Sequence, residues 1–251
     1  MIPKLIHYCW YGKGKYNETI SKCMASWEKN LPDYEIKKWD ETNTPFDKFP
    51  LLKLLHKQKK WSFITDFIRL YAVYTEGGIY LDTDIEVLKP FNDLLKEQVF
   101  LGFQSDLESS KYPLNSAVLG GSAGHEFLYE CLCETVKKQR LQFNAMGGPP
   151  IVTQVAFDNG LKEYKTQYIN KGVLLLTTPY FYPFSWEESY TTDCIKSETI
   201  CIHWWEDSWK NQKKGFNYYT DSVKRKLEKT PLILSSYASY YFNKKRFFLI
   251  K

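Results

Sequence analysis

The chain has 251 residues, 43% of them hydrophobic, and 34 basic against 29 acidic side chains give a net charge of +5. That length supports one sizeable core with embellishments. The mild positive balance does not call for nucleic acid as a partner, and it suits an anionic small ligand or an anionic membrane surface. No apolar run approaches the ~20 residues that span a bilayer, and Met1 to Lys4 do not read as a signal peptide, so the expectation is a cytoplasmic protein, peripheral at a membrane if it meets one. Six cysteines (Cys9, Cys23, Cys131, Cys133, Cys194, Cys201) form no regular framework. Cys131 and Cys133 stand two apart in a helical pattern and do not share a face, which predicts free thiols rather than a zinc site or disulfide. Aromatic residues make up 17% of the chain, more than packing alone asks for, and point to ring-lined surfaces of the kind that stack on sugars or bases.

Lys4 to Tyr11 reads as a buried strand that closes at Gly12-Lys13-Gly14. Trp10 stands at its carboxyl end, where an α/β sheet places its ligand; it either stacks on a base or sugar or packs in the core. Ile20, Cys23, Met24 and Trp27 recur at helical spacing over residues 17–30, and residues 34–39 read as a second strand. A polar loop and a short helix over 51–58 follow. This β-α-β opening predicts parallel strands with helices on both faces. Ser62 is placed to cap the next helix, whose apolar residues run from Phe63 to Tyr74 and stop at Gly77-Gly78. Inside that helix Asp66 and Arg69 stand at i, i+3. On a surface such a pair contributes a few tenths of a kcal/mol; with apolar neighbours on nearly every side it is instead a buried polar site.

Ile79, Tyr80, Leu81, Ile85 and Val87 have strand character, and Asp82 and Asp84 fall within or at the tip of that run. Two positions apart in a strand, they would emerge on one face. Bare burial of adjacent like charges costs several kcal/mol. Either water surrounds them on a turn, or a divalent cation such as Mg²⁺ or Mn²⁺ lies between them and bridges to substrate phosphates.

Residues 99–103 read as a further strand, 106–113 as a polar loop, and 114–121 as an extended segment in which Asn115 stands near the start. His125 to Gln139 is an amphipathic helix, with His125 capping it or facing water. Gly147-Gly148-Pro149 is a turn before another helix: the glycines let backbone approach an acceptor or donor sugar, or simply make the turn. Residues 173–177 form a buried strand. Tyr180, Phe181, Tyr182, Phe184 and Trp186 are an acceptor wall or packing. A strand then ends at His203, whose imidazole suits a third metal ligand. Ser208, Trp209 and Lys210 follow in a loop that can close over a diphosphate, the lysine offsetting phosphate charge. Residues 216–251 are basic and aromatic, either a tail helix on the domain or an interfacial anchor.

Ile2 to Trp10, Ser26-Trp27, Leu31 to Ile36, Asp66-Phe67-Ile68-Arg69 and Gly77 to Asp84 together resemble glycosyltransferase family 32, which includes yeast-type initiating mannosyltransferases and bacterial capsule and O-antigen sugar transferases. The resemblance is dense over residues 2–95, with islands at Gly147-Gly148-Pro149 and His203-Trp204. It implies a GT-A fold: a Rossmann-like mixed α/β sheet with helices on both faces, here followed by an aromatic, basic C-terminal segment. It further implies a nucleotide-sugar donor, Mn²⁺ or Mg²⁺, and retention of anomeric configuration. Carried over, Trp10 stacks on the donor base, Asp66 and Arg69 bind the transferred sugar, and Asp82 touches ribose and sugar or the metal through water. Asp84 ligates the metal, His203 lies beside it, and Asn115 lies near the donor sugar. The expected organisation is one domain over 1–251: a nucleotide-sugar-binding core over 1–120, an acceptor side with the metal loop over 121–215, and an extension over 216–251. The donor expected is a UDP-hexose, galactose first, with GDP-mannose as the alternative; the acceptor is a saccharide, lipid-linked if the basic tail docks on a membrane. Two rivals rank lower. A sugar nucleotidyltransferase needs a glycine-rich basic signature of which Gly12-Lys13-Gly14 is a faint echo. A carbohydrate-binding module leaves Asp82, Asp84 and His203 unexplained.

Overall fold

The computed structural model describes residues 1–141 and 148–206. Ser208, Trp209, Lys210, Gly147 and the basic, aromatic segment over 216–251 lie outside the described residues. β1 (Leu5–Cys9) pairs parallel with β2 (Glu35–Trp39) and β3 (Gly78–Leu81), as the β-α-β opening predicts. From β3 the sheet changes sense. β6 (Leu114–Gly121) runs antiparallel to β3 and to β5 (Val99–Phe103). Beyond them β8 (Val173–Leu176) is parallel to β5, and β7 (Gln167–Ile169) closes the edge antiparallel to β8. The seven strands lie in the order β2-β1-β3-β6-β5-β8-β7, and a separate ribbon joins β4 (Ile85–Val87) to β9 (Cys201–His203).

Strand alternation assigns the two faces. Ile6, Tyr8, Ile79 and Leu81 join a core with Trp27 of α1 (Glu18–Asn30), and Asn17 caps that helix by accepting the Ile20 N–H. On the opposite face His7 and Tyr80 meet α3 (Trp61–Glu76), through His7 Nε2 to the Gly77 carbonyl at 2.8 Å and the Arg69 guanidinium 4.9 Å from the Tyr80 ring. Alongside α3 pack α2 (Pro50–Lys57) and α4 (Glu126–Leu141), and α5 (Gly148–Asp158) covers β6. Gly77 and Gly78 make the α3–β3 connection with φ of +69° and +102°, and a Cβ on Gly78 would lie 2.5 Å from the Leu5 carbonyl oxygen. Only glycine meets both demands.

One local expectation is corrected and one is narrowed. Ser62 does not cap α3, which begins one residue earlier, at Trp61. Of the two placements expected for the aspartates, within the run or at its tip, the structure has the tip: Asp82 follows the last residue of β3. The Asp82 N–H extends the β3–β6 ladder to the Ala117 carbonyl, the Ile85 N–H then donates to the Asp82 carbonyl at 3.0 Å, and β4 departs to pair with β9. Asp82-Thr83-Asp84 is thus the turn that passes the chain from one sheet to the other. The run of strand formers is real, but its pairing partner changes in the middle. Among the described residues no helix is long and apolar enough to cross a membrane.

Candidate active site

The carboxyl ends of β1 and β3 meet the start of β6, because β6 runs antiparallel to β3. Trp10 leaves the end of β1 half-buried, its indole N–H donating to the Gly14 carbonyl and its ring edge-on to Tyr16 at 4.6 Å. Asp82 leaves the end of β3. Behind it stands Arg69, 7% exposed, reached from α3 through apolar packing on both sides. Its Nη2 lies 3.3 Å from Asp66 Oδ1 and 3.2 Å from Asp82 Oδ1, and Nη1 donates to Ser116 Oγ at 3.2 Å. The Tyr80 hydroxyl donates to the same Asp82 oxygen at 2.8 Å. Arg69 Nε is buried without a partner among the described residues, so one charged donor on this side remains to be satisfied.

Electrostatics separate the three carboxylates. Burial pushes the Asp66 carboxyl up, and the Arg69 charge with the Gly148 N–H only partly opposes it. Burial likewise raises Asp82 against the pull of Arg69. For Asp84 burial acts in the same direction but is outweighed by His203 and by the hydrogen bonds it accepts, so its carboxyl lies below the usual range. Burial opposes the Arg69 charge too, yet Asp82, Tyr80 and Asp66 hold the guanidinium protonated.

The β4–β9 ribbon brings in the second half of the site. In its register Ile85 faces His203, which puts the imidazole Nε2 3.2 Å from Asp84 Oδ2. The loop after β9 wraps the same aspartate: the Glu206 N–H donates to Asp84 Oδ2 at 2.9 Å and the Trp204 N–H to the Asp84 carbonyl at 3.0 Å. Trp205, at φ +56°, turns its ring onto His203 at 4.0 Å. Asp82, Asp84 and His203 each offer a ligand atom, all within 4.8 Å of one another. His203 Nδ1 is buried with no partner among the described residues. Two carboxylates and an imidazole with an unsatisfied nitrogen are a donor set that fits a divalent cation.

A bulge completes the site. Between β5 and β6 the register jumps from Leu101–Leu119 to Gly102–Asn115, which frees Ser116, Ala117 and Val118 from β5. The Val118 N–H donates to the Tyr182 hydroxyl at 3.1 Å and the Ala117 N–H to Asn115 Oδ1 at 2.8 Å. Asn115 also donates to Gln104 Oε1 at 2.7 Å, so it shapes the bulge, one residue from the Ser116 that holds Arg69. Gly148, expected where backbone approaches an acceptor or donor sugar or simply makes a turn, lies against the arginine pair: a Cβ there would lie 2.2 Å from Ser116 Oγ and 3.3 Å from Asp66 Oδ1. Pro149 is half-buried in the first turn of α5.

Tyr80, Ser116, Tyr182, Trp205 and Glu206 were not singled out from sequence for these contacts. Tyr80 carries a usable signal, since it shares the i, i+2 face with Asp82. Ser116 and Tyr182 carry none, because a bulge has no sequence period.

The site is thus a carboxylate turn at the switch point of a mixed sheet, faced by an imidazole and backed by a buried arginine. Residues 17–101 match the family described as the glycosyltransferase sugar-binding region containing a DXD motif. It is 30% identical over 213 residues to lactosylceramide 4-alpha-galactosyltransferase of Rattus norvegicus, an alignment covering 74% of this chain and 56% of that protein. It is 28% identical over 136 residues to inositol phosphoceramide mannosyltransferase 3 of Schizosaccharomyces pombe, covering 51% of this chain and 36% of that one. The chain therefore spans about half the length, or less, of these two relatives. Among solved structures it is similar in fold to the PaToxG glycosyltransferase, with a TM-score of 0.51, 20% identity, and coverage of 62% of this chain and 69% of that chain.

Proposed function

We propose that the protein transfers a hexose from a nucleotide sugar to a saccharide acceptor with retention of anomeric configuration, in the assembly of a surface polysaccharide or glycolipid. The observation that carries this reading is the meeting of the Asp82–Asp84–His203 donor set with the Asp66–Arg69 pair across one turn of chain. The first suits a cation facing phosphate oxygens, the second the hydroxyls of a sugar. Bound there, Mn²⁺ or Mg²⁺ supplies positive charge against the diphosphate of the leaving nucleotide.

The chain's own groups do the rest. Arg69, fixed by Asp66, Asp82 and Ser116, presents its buried guanidinium edge to the sugar, and the Asp66 carboxylate accepts from a sugar hydroxyl. Together they fix the anomeric carbon relative to the acceptor, which lowers the entropic part of the barrier. Trp10 offers a face to the base. No side chain is assigned as a covalent nucleophile; the leaving phosphate takes the acceptor proton on the same face of the sugar. Trapping of a sugar on a protein carboxylate, detected by mass spectrometry, overturns that step.

UDP-galactose is the first donor proposed, since the mammalian relative is named a galactosyltransferase; GDP-mannose is the alternative, since the fungal relative is named a mannosyltransferase. Nucleotide-sugar hydrolysis across a panel of UDP-hexoses and GDP-mannose with Mn²⁺ tests the reading. The expected result is release of a nucleoside diphosphate from one donor, abolished by chelation. Release of pyrophosphate, or no turnover of any donor, overturns it.

A further inference from the structure

A cleft of about 640 Å³ adjoins the metal-side residues without including them. One wall is the loop after β5, from Gln104 to Ser110; the other is the segment from Tyr182 to Glu188. Both walls are tied to the site already described. Gln104 is bonded to Asn115, one residue from the Ser116 that holds Arg69. Tyr182 and Trp205, which also line the cleft, are ring neighbours of His203 at 5.8 and 4.0 Å.

The lining has three features that together select a ligand. Trp186 is 67% exposed at the cleft, an indole in position to cover one face of a sugar ring. Ser105 belongs to the lining, and its Oγ is buried with no partner among the described residues, a hydroxyl that a ligand satisfies once the side chain turns into the cleft. The charged side chains of the lining are Asp106, Glu187 and Glu188, with no lysine or arginine among the described residues that line it. Two of those carboxylates are fixed in place. Asp106 accepts from the Ser109 N–H at 2.6 Å and from Ser109 Oγ at 2.8 Å, and Glu188 accepts from the Ser185 N–H at 2.7 Å. These hydrogen bonds hold both carboxyls below the usual carboxylate range, so both are charged at neutral pH.

We infer that this cleft is the acceptor subsite and that it takes an uncharged pyranose, stacked on Trp186 and hydrogen-bonded by the carboxylates and Ser105, while turning away acidic sugars. The inference rests on the glycosyl-transfer reading above. The carboxylates accept from hydroxyl donors on a neutral ring, and they repel a uronate or phosphorylated sugar at the same distance.

Saturation-transfer NMR on the full chain with Mn²⁺ and UDP tests this, with methyl β-glucoside, methyl β-galactoside and glucuronate as probes. At least one neutral glycoside is expected to bind and glucuronate not to. Trp186→Ala should weaken the neutral probe at least tenfold, and the Glu187→Lys/Glu188→Lys double variant should admit glucuronate. Glucuronate binding the unaltered chain as well as the glycosides, no glycoside binding at all, or Trp186→Ala binding unchanged, each overturns the inference. Donor hydrolysis measured on the same sample separates the two ideas. Glycoside binding without hydrolysis of any donor keeps the cleft and defeats the transfer reading; hydrolysis without glycoside binding does the reverse.

Discussion

Replacing Gly148 with alanine adds one methyl at the most crowded point of the site. That methyl would stand 2.2 Å from Ser116 Oγ, more than 1 Å inside an ordinary contact of about 3.5 Å. Ser116 is fully buried and bonded to Arg69, so the hydroxyl swings away only by giving up that bond, and otherwise α5 must retreat from β6. Overpacking of this size costs about 1–3 kcal/mol, and a lost hydrogen bond to a charged group costs about 1.5–3 kcal/mol. Whichever gives way, a loss of about 1–3 kcal/mol lowers Tm by about 2–12 °C for a domain of this size. Because Arg69 loses its support, the KM for the donor should rise at least tenfold. The decisive measurement is a double-mutant cycle with Ser116→Ala. Removing the hydroxyl removes the obstacle, so the double variant should be more stable than the sum of the two single losses by about 1 kcal/mol or more. Strict additivity, or a Gly148→Ala protein with unchanged Tm and donor KM, refutes the claim that Gly148 is required by its approach to Ser116.

Three further outcomes follow from the same geometry. Asp84→Asn should abolish saturable Mn²⁺ binding in a titration followed by electron paramagnetic resonance and cut Mn²⁺-dependent donor hydrolysis at least a hundredfold; retained tight Mn²⁺ binding would show that the ion sits elsewhere. Arg69→Lys keeps the charge but loses the fork that spans Asp66, Asp82 and Ser116, so kcat/KM for the donor should fall at least a hundredfold while Mn²⁺ affinity changes less than threefold; equal losses in both would place Arg69 in the metal site. His7 is buried with its pKa lowered by burial, against the partial support of the Gly77 carbonyl. The folded protein therefore binds fewer protons there than the unfolded chain, and stability should fall as pH drops below about 6.5 by as much as ~1.4 kcal/mol per pH unit. Denaturant midpoints from pH 7.5 to 5 should show that slope, and His7→Gln should remove about one proton's share of it; an unchanged slope in the variant would mean that His7 takes up its proton in the folded state.

How much of this was legible beforehand follows from the range of each interaction. The β-α-β opening, the helix carrying Asp66 and Arg69, and the Gly77-Gly78 stop were legible because periodicity and punctuation are local properties of the chain. The aspartate turn was half legible: the strand formers around it are plain, but nothing local says that Ile85 will leave the first sheet for β9. Ser62 was misjudged as a cap because a hydroxyl near a helix start is a common signal, and here the chain turns helical one residue sooner. Gly148 was noticed as a glycine near a turn, whereas its neighbour Ser116 lies 32 positions earlier and cannot be found by any spacing rule.

By itself the sequence determined which residue types were available: a carboxylate pair after an apolar run, a histidine at a strand end, and an acid and a base one helical turn apart. It also determined the local conformations that carry them, since backbone preference and side-chain periodicity act over a few residues. Only the tertiary structure decided that these groups converge, because convergence depends on long-range pairing. The antiparallel β6 brings Ser116 to Arg69, the β4–β9 ribbon brings His203 to Asp84 across more than a hundred residues, and a bulge turns Tyr182 and Asn115 into the supports between them.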